Sequence, residues 1–527
     1  MIALNAIESV YSKQVSLEHR KKFAQFFTPS AIAKLMVKWL LGNEHLQTVL
    51  EPAFGLGIFS RTLLSEKNNV HIRGFEIDNI IFESAKKEFS DTDAINLVLE
   101  DYMYNDWQNK YDGIICNPPY FKFHDYDNKS ILKEVEAKLK CKLNGFTNLY
   151  TLFLLKSIYQ LNSDGRCAYI VPSEFLNSDY GKLVKMHLLK TGTLRHIIVF
   201  DFEENVFDDA LATASIILCA NDNKTDKIQF TNVKSVTQLE RIETLVAAYP
   251  QQCENLTTYS SSEINPEIKW KTYYQSQNGY KFKNLVPFSI YAKVVRGIAT
   301  GANDYFTFNI SKARKYNISE RYLLSCVCHS TDVRGHIFTK FNFEELKQND
   351  KNVFLINMVN SDDENVVKYL VKGEQEKIHE KYFTSNRNPW YLLEKRMPAP
   401  IWVSVFNRAG LRFVRNEANV SNLTTFHCIC PQINLFSDVS IDLLFAYLLT
   451  DTARQIFEDN SREYGNGLQK FEPNDLNKGK MLDLEKLSTD SKHKIEDLYR
   501  KNRDNLDTNR KFINEIDAIL LEKFSCP

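Results

Sequence analysis

The residues Gly113-Ile114-Ile115-Cys116-Asn117-Pro118-Pro119-Tyr120 decide how the fold of the whole chain is interpreted. The first four are apolar or small and predict a short buried β-strand. The prolines then end the strand, because proline has no N–H to donate to a neighbouring strand. The residues that follow are therefore expected at the carboxyl end of a sheet, where open α/β folds bind their ligands.

These residues suit chemistry at an exocyclic amino group such as N6 of adenine, which is a poor nucleophile because its lone pair is delocalised into the ring. The side-chain oxygen of Asn117 and the carbonyl oxygen of Pro118 can each accept one amino hydrogen, while the ring of Tyr120 stacks on the base. The three residues are the candidate catalytic groups. A strand-ending turn is the alternative interpretation, because Asn and Pro are common turn residues.

Polar residues also follow three apolar segments that come earlier in the chain. Residues 48–59 predict a strand, the acid Glu51 and a turn of small residues that runs into a helix. A second strand over residues 70–78 ends in an acid, and a third over residues 94–99 is followed by Asp101. The first turn is not a Walker loop, because no Gly-Lys-Ser/Thr follows it, and the acid before it favours a cationic ligand. The pattern predicts an α/β fold with a binding site along one sheet edge.

The length and composition indicate the number of domains but do not indicate a binding partner. A chain of 527 residues with 43% hydrophobic and 25% charged residues is long enough for two or three globular domains. Lys+Arg and Asp+Glu are both 66, so a nucleic-acid surface would have to be a local patch. We place the domain boundary near residue 245, with a catalytic domain over 1–245 and a second domain over 246–527.

The ten cysteines are scattered, which fits reduced thiols in the cytoplasm better than a disulfide framework. The pairs Cys326/Cys328 and Cys428/Cys430 could hint at a metal, but their spacing is more typical of one face of a buried strand. We therefore expect no metal site. No apolar run approaches the 18 residues of a membrane span, and no signal peptide is evident, so no membrane association is expected and the location is expected to be cytoplasmic.

The order of short motifs makes the interpretation specific. Phe-Thr-Pro at 27–29 is followed by Glu-Pro-Ala-Phe-Gly-Leu-Gly at 51–57, Phe-Glu-Ile-Asp at 75–78, Glu-Asp-Tyr at 100–102 and Asn-Pro-Pro-Tyr at 117–120. This order resembles the γ-class, TaqI-like adenine-N6 DNA methyltransferases of type II restriction-modification systems. The resemblance covers roughly residues 21–220. It implies a Rossmann-like class I S-adenosylmethionine-dependent methyltransferase domain, followed by a mixed α+β target-recognition domain.

The resemblance implies S-adenosyl-L-methionine as cofactor and duplex DNA as partner, with a methyl group transferred to N6 of a flipped-out adenine. It assigns cofactor contacts to Thr28, Glu51, Ala53, Gly55, Glu76, Ile77, Asp101, Tyr102, Pro119 and Phe153. Thr28 and Glu51 would attend the methionine end, Glu76 the ribose hydroxyls and Asp101 the exocyclic amine. Ile77 and Phe153 would enclose the adenine of the cofactor, although plain core packing is nearly as good an interpretation for Phe153.

Other positions carry smaller expectations. Phe207 resembles the residue that stacks on the target base from the side opposite Tyr120. Ala24 stands where a glycine commonly begins the Phe-Thr-Pro element, a departure that we do not expect to matter for contacts. Thr28 is also a plausible N-cap of a helix that starts at Pro29. Strands over residues 194–200 and 213–219 form a hairpin-like pair that would end the sheet.

The second half contains aromatic residues interleaved with arginines, which suits contacts to phosphates and bases. Arg408, Arg412 and Arg415 are such candidates, although any one of them is more often a solvated charge. The tail over residues 491–524 has apolar residues at helical spacing and predicts a packing helix.

Two other functions remain open. The Asn-Pro-Pro-Tyr motif also serves methylation of protein glutamine or of RNA, and a catalytically silent specificity subunit would bind DNA without methylating it. Methylation at C5 of cytosine is disfavoured, because it needs a nucleophilic thiol, usually in a Pro-Cys turn, and no proline here precedes a cysteine. No Pro-Asp pair begins a nuclease site, so a restriction endonuclease would be a separate partner.

Overall fold

A computed structural model describes residues 6–200, 214–251, 257–275, 278–358, 363–407, 411–432, 439–460, 462–464, 468–506 and 510–526. The chain divides into two compact units. The first contains the described residues up to 275 together with Tyr464, and the second contains the other described residues from 278 onwards. The boundary predicted near residue 245 therefore falls inside the first unit.

The described part of the first unit is built on a sheet of nine strands. The strands are β1 (Thr48–Glu51), β2 (His71–Glu76), β3 (Ile95–Leu99), β4 (Tyr111–Cys116), β5 (Leu161–Pro172), β6 (Leu194–Phe200), β7 (Ala214–Ala220), β8 (Lys227–Val233) and β9 (Thr257–Ser260). The helices are α1 (Ala6–Gln14), α2 (Leu17–Lys22), α3 (Ser30–Leu41), α4 (Ile58–Glu66), α5 (Asn79–Glu88), α6 (Asn128–Leu139), α7 (Leu149–Tyr159), α8 (Glu174–Asn177), α9 (Gly181–Thr191) and α10 (Leu239–Ala247).

The strand order creates a ligand-binding crevice between β1 and β4. The order is β3-β2-β1-β4-β5-β7-β6-β8-β9, and the first five of these strands are parallel. Chain connections run from β1 towards β3 on one side and from β4 towards β5 on the other. Ligands bind at such a switch point, beyond the carboxyl ends of the strands. Glu51 ends β1 and Asn117 follows β4, so the predicted Rossmann-like α/β fold is confirmed and places both residues at the crevice.

The apolar run of β4 reflects burial of the sheet on both faces. Ile114 and Cys116 pack into the core that contains α7, whereas Ile115 packs into the core that contains α3. A strand covered on both faces has no polar side to alternate with, which explains the unbroken Ile-Ile-Cys sequence.

The sheet continues past the pair of strands that was predicted to end it. β7 is antiparallel to β6, as predicted, and it is also antiparallel to β5. However, β6 also pairs in parallel with β8, which pairs with β9. Trp270 and Tyr273 follow β9 and are buried in the core of the first unit. These pairings and buried rings explain why the first unit extends well beyond residue 245.

The second unit is a mixed α+β structure. Its strands are β10 (Leu285–Pro287), β11 (Ala292–Arg296), β12 (Thr307–Phe308), β13 (Leu323–Val327), β14 (Ile337–Phe338), β15 (Phe354–Ile356), β16 (Ile401–Ser404), β17 (Phe406–Asn407), β18 (Phe413–Asn416), β19 (Ser421–Asn422), β20 (Phe426–Pro431), β21 (Arg462–Tyr464), β22 (Leu468–Lys470) and β23 (Lys480–Leu482). Its helices are α11 (Asn303–Phe306), α12 (Ile310–Lys315), α13 (Lys340–Gln348), α14 (Glu364–Gln375), α15 (Tyr382–Ser385), α16 (Ile441–Leu448), α17 (Asp451–Glu458), α18 (Pro473–Asn477), α19 (Thr489–Asn502) and α20 (Lys511–Phe524).

Two sequence predictions for this unit meet different outcomes. The prediction of a single C-terminal helix is wrong. The segment forms two helices, α19 and α20, which pack together, and the buried Leu506 lies between them in the sequence. The strand positions predicted for the paired cysteines hold in part: Cys428 and Cys430 both lie in β20, whereas Cys326 lies in β13 and Cys328 follows it. Within the described residues, no helix is both long and apolar enough to span a bilayer.

Candidate active site

A cavity of about 310 Å³ lies at the carboxyl ends of β1, β2 and β4. The predicted site residues that line it are Thr28, Glu51, Ala53, Gly55, Glu76, Ile77, Asp101, Tyr102, Asn117, Pro119 and Phe153. Motifs that are up to 125 residues apart in sequence, from Thr28 to Phe153, therefore meet around one space. Its size is that of a small-molecule site.

Glu51 is buried at the end of β1 and is only half satisfied. Its Oε2 accepts hydrogen bonds from the backbone N–H (3.1 Å) and the hydroxyl (2.5 Å) of Ser60. Its Oε1 is buried and has no hydrogen-bond partner. Burial raises the pKa of Glu51 to about 8, although the bonds from Ser60 oppose the shift. Oε1 could therefore accept a hydrogen bond from a cationic donor, and the predicted contact of Glu51 with the cofactor stays a prediction.

The raised pKa of Glu51 has a consequence for folding. An acid whose pKa is higher in the folded than in the unfolded state keeps its proton longer on folding. Glu51 therefore lowers the stability of the empty protein progressively as pH rises from about 4.5 to about 8. A group that destabilises the empty fold at neutral pH is typical of a binding site rather than of a structural core.

Glu76 joins the first and second strand ends. Its Oε2 accepts the N–H of Gly55 (3.0 Å), and its Oε1 accepts the N–H groups of Ile77 (2.8 Å) and Asp78 (2.9 Å). Burial raises its pKa, against the effect of these bonds. Gly55 has φ +55°, which favours glycine, and its turn brings the backbone to the cavity. Ile77 lines the cavity and is 49% exposed, so its apolar side chain is available to pack against a bound ligand.

The third strand end supplies one carboxylate and an aromatic wall. Asp101 accepts the N–H of Met103 (2.8 Å) through Oδ1, and burial raises its pKa. Tyr102 is buried, and its hydroxyl donates to Gln160 (2.5 Å), so its side chain also has a structural role. The ring of Phe153 packs 5.2 Å from that of Tyr102 and also lines the cavity. Phe153 thus packs in the core and also lines the cavity, so the two interpretations of this residue do not exclude each other.

The amide of Asn117 is held in one orientation by the Phe-Thr-Pro element. Its Nδ2 donates to the carbonyl oxygen of Phe26 (2.7 Å) and to the hydroxyl of Thr28 (3.0 Å). Because both amino hydrogens are engaged, the amide cannot flip without losing both bonds, and Oδ1 is left buried without a partner. The expectation that Thr28 is an N-cap is wrong: α3 begins at Ser30, its N-cap residue is Pro29, and the Thr28 hydroxyl serves Asn117 instead.

The other predicted catalytic residues lie beside the cavity rather than in its lining. Pro118 is buried, and the ring of Tyr120 lies parallel to that of Phe26 at 5.8 Å. The Tyr120 hydroxyl donates to the carbonyl oxygen of Ile170 (3.3 Å). The hydrogen bond from its hydroxyl to β5 therefore holds Tyr120 in place, and its ring forms an aromatic pair with Phe26 close to Asn117. Phe207 lies outside the described residues.

Comparison with known proteins identifies the family. M.AccI, a type II methyltransferase of Acinetobacter calcoaceticus, is 65% identical over 527 residues, covering 99% of this chain and 98% of that protein. The chain belongs to the type II methyltransferases. M.HindII, a type II methyltransferase of Haemophilus influenzae, is 26% identical over 78% of this chain and 74% of its own.

Two family models agree with this membership of the type II methyltransferases. The model described as Eco57I restriction-modification methylase matches residues 20–207, and that of the C-terminal domain of the type II methyltransferase M.Eco57I matches residues 275–521. The second match begins at the junction of the two units. A solved structure of the type ISP restriction-modification enzyme LlaGI has the same fold over 91% of this chain and 54% of that one (TM-score 0.52, 15% identity). The chain is therefore a restriction-modification DNA methyltransferase, and its cofactor is S-adenosyl-L-methionine.

Several residues that were not predicted from the sequence also lie at the cavity of this type II methyltransferase. The carbonyl oxygen of Phe26 orients Asn117, and Glu8 of α1 and Tyr126 also line the cavity. Phe121 lines it too, and its position directly after the Asn-Pro-Pro-Tyr motif was the available signal. Backbone carbonyls and a remote helix leave no such signal in sequence.

The backbone at Ala24 adopts a conformation that favours glycine. Its φ is +51°, a left-handed conformation that costs a residue with a Cβ about 1–2 kcal/mol. We expect Ala24→Gly to raise the stability of the protein by about 0.5–1 kcal/mol, because part of the gain is offset by the greater freedom of unfolded glycine. Chemical denaturation measures this change. The control Ala31→Gly, in helix α3, should lower stability by about 1 kcal/mol, and equal losses for both variants would contradict the explanation.

Proposed function

We propose that this type II methyltransferase transfers a methyl group from S-adenosyl-L-methionine to N6 of an adenine flipped out of duplex DNA. The observation that carries the proposal is the unpartnered, buried Oδ1 of Asn117. A buried acceptor left without a donor costs about 1–3 kcal/mol, so its persistence points to a donor that arrives with the substrate. The amino group of a flipped adenine is such a donor.

The cavity also fits the cofactor. Glu51 offers a free carboxylate oxygen to a cation, Glu76 stands at the strand end where ribose hydroxyls are held, and Asp101 can accept an exocyclic amine. When bound, S-adenosyl-L-methionine supplies an electrophilic methyl group on its sulfonium. Ala53, Gly55, Ile77 and Pro119 complete the lining.

The protein's own contribution at the amine is alignment. Asn117 Oδ1 and the carbonyl oxygen of Pro118 accept the two N6 hydrogens, which turns the nitrogen lone pair away from the ring of the base. No strong base is required, because the alkylated nitrogen would be cationic and acidic enough to give its proton to water. Preorganised acceptors of this kind act without reorganisation at the moment of reaction.

The base must first leave the duplex, at a cost of a few kcal/mol. Stacking on an aromatic ring returns about 1–3 kcal/mol, and Tyr120 and Phe207 are the rings that we assign to this role. The parallel pair of Phe26 and Tyr120 supports the presence of an aromatic surface next to Asn117.

We assign DNA recognition to the second unit, and the structure revises which arginines could take part. Arg412 donates to the carbonyl oxygen of Val333 (2.7 Å), and Arg415 pairs with Asp442, so both arginines support the fold. Arg408 lies outside the described residues. Phe406, 58% exposed with Lys470 5.5 Å from its ring, is a better candidate for contact with DNA.

The proposal is tested by the product. Purified protein should transfer tritiated methyl groups to duplex DNA, and sequencing of DNA from cells that express the chain should show N6-methyladenine in one sequence context. Modified cytosine, or methylation confined to RNA or to protein, would contradict it. The restriction-modification family supports a separate companion endonuclease, and the methylated DNA should resist that enzyme.

The hydrogen bond between Asn117 and Thr28 predicts different methyl-transfer rates for two substitutions at Thr28. Thr28→Val removes one of two bonds that orient the amide, and we expect kcat to fall about fivefold to tenfold, as for the loss of one hydrogen bond of about 1 kcal/mol. Thr28→Ser keeps the hydroxyl and should restore most of the rate. Single-turnover methyl transfer measures both variants, and equal rates for Val and Ser would show that the hydroxyl does not position Asn117.

A further inference from the structure

A second carboxylate of the cofactor cavity comes from the first helix of the chain. Glu8 lies in α1, is completely buried and lines the same cavity as Glu51. Its Oε1 pairs with a guanidinium nitrogen of Arg61, while its Oε2 is buried and has no hydrogen-bond partner. Buried carboxylates are rarely left half satisfied unless a ligand completes them.

The surroundings of Glu8 hold it in place without satisfying it. Arg61 of α4 donates through Nη2 to Glu8 and through Nη1 to the carbonyl oxygen of Leu56 (2.9 Å). These two hydrogen bonds of Arg61 hold one oxygen of Glu8 in place and leave the other oxygen without a partner. Glu51 shows the same division, with Oε2 bound by Ser60 and Oε1 unused.

Two carboxylates that line one cavity, each with one unused oxygen, suit a ligand that carries a positive charge and at least two N–H donors. An ammonium group has three donors, whereas a hydroxyl has one and no charge. The guanidinium of Arg61 balances the charge of Glu8, so one ammonium is enough to balance that of Glu51. We propose that Glu8 is a second ligand of the methionine ammonium of the cofactor, acting together with Glu51. This inference rests on the cofactor role given to Glu51 above.

The proposal gives α1 a function as a cap over the methionine end of the cavity. Tyr11 of α1 forms a small apolar cluster with Leu56 and Ile81, and its ring meets that of Phe27 edge to face at 5.8 Å. Leu56 belongs to the turn after β1 that follows Glu51. An ammonium held by both Glu8 and Glu51 would tie the cap directly to this turn.

The segment that joins the cap to Phe27 is attached at a second point. His19 of α2 contacts Asp78 at 2.8 Å, and Gln25 donates to the same carboxylate at 2.6 Å. Asp78 is the N-cap of α5, directly after the strand end that carries Glu76. The cap is thus anchored to the loops that follow both β1 and β2. An ammonium bound to Glu8 would add a further attachment, so cofactor binding should slow local opening of α1.

The test compares two probes that differ in a single group. S-adenosylhomocysteine carries the α-ammonium, and its analogue with hydrogen in place of the α-amino group does not. In calorimetry we expect Glu8→Gln to weaken binding of S-adenosylhomocysteine about tenfold or more, as for loss of a charge-assisted hydrogen bond, and to leave the affinity for the deaminated analogue unchanged. The matched control is Glu18→Gln, an exposed glutamate of α2, which should change neither affinity.

A second measurement follows the cap itself. S-adenosylhomocysteine should slow amide hydrogen exchange in residues 6–14 of the wild-type protein, and the deaminated analogue should slow it less. In Glu51→Gln, where one ligand of the ammonium is missing, some preference for the amine-bearing probe should remain because Glu8 still binds it. This comparison uses a protein with an intact α1 and so does not depend on the folding of Glu8→Gln.

Each contrary outcome identifies a different error. If Glu8→Gln weakens both probes by the same factor, Glu8 only anchors α1 through Arg61. If it weakens neither, or if Glu51→Gln loses all preference for the amine, Glu8 does not contact the ammonium. If the wild-type protein binds S-adenosylhomocysteine no better than its deaminated analogue, no ammonium site exists. Failure to bind either probe would overturn the cofactor role of the cavity together with this inference.

Discussion

Asn117→Ala is expected to reduce the rate of methyl transfer by about a thousandfold. The substitution removes the unpartnered buried amide oxygen that lies directly after β4, and loss of a preorganised hydrogen-bonding group at a reacting centre typically costs about 10²–10³ in kcat. Affinities for cofactor and DNA should remain near those of the wild-type protein, because the acceptor acts on the amine in the transition state. Single-turnover transfer to duplex DNA and equilibrium binding measure the two effects separately.

The control for this variant is Asn69→Ala, which removes the same side chain from an exposed position ahead of β2. It should leave the rate unchanged. Near-normal turnover by Asn117→Ala would show that the amide is only part of a strand-ending turn. A loss of cofactor affinity equal to the loss of rate would show that Asn117 acts in binding instead.

Glu51→Gln is expected to weaken cofactor binding about a hundredfold, which corresponds to about 3 kcal/mol for loss of a buried charge partner. The same change should raise the thermal stability of the empty protein at pH 7, because it removes a carboxylate that burial destabilises. Calorimetry and thermal unfolding without ligand measure the two effects. Opposite signs for binding and stability would identify Glu51 as a group kept for function.

The pKa of about 8 at Glu51 adds a test by proton release. At pH 7 the carboxyl group of the empty protein is mostly protonated, and an arriving ammonium favours its ionised form. Cofactor binding should then release a proton, and affinity should rise with pH between about 6 and 7, where most of a free α-amino group with a pKa of about 7.7–8.0 is still charged. Calorimetry in buffers of different ionisation enthalpy detects the proton. Glu51→Gln should release none, and the exposed control Glu66→Gln should behave like the wild-type protein.

These expectations share one structural cause. Asn117 Oδ1, Glu51 Oε1 and Glu8 Oε2 are buried acceptors without partners in the first unit. Each lowers the stability of the empty protein, and each is fixed by a neighbour that binds the other end of the same group. The residues of the cavity therefore keep three acceptor oxygens without donors, and a cationic cofactor and an amine substrate would supply those donors.

The motifs at the strand ends could be recognised because their signals are local. The apolar run of β4, the glutamates after β1 and β2 and the glycine turn of residues 55–57 depend on strand periodicity and turn chemistry, which neighbouring residues determine. The structure places these motifs as predicted. The errors arise where distant contacts decide: Thr28 gives its hydroxyl to Asn117 instead of capping α3, and the sheet gains β8 and β9.

The sequence by itself determined the parallel sheet, the order of the motifs along its edge and the residue types at the site. Only the tertiary structure decided which atoms of those residues stay without a partner, and that Glu8, 53 residues from Arg61, belongs to the same cavity. The physical reason is that a strand and its terminal turn are specified within a few residues, whereas hydrogen-bond satisfaction is specified by whatever the fold brings alongside. A motif therefore states which group is present, and packing decides which of its atoms is left to bind.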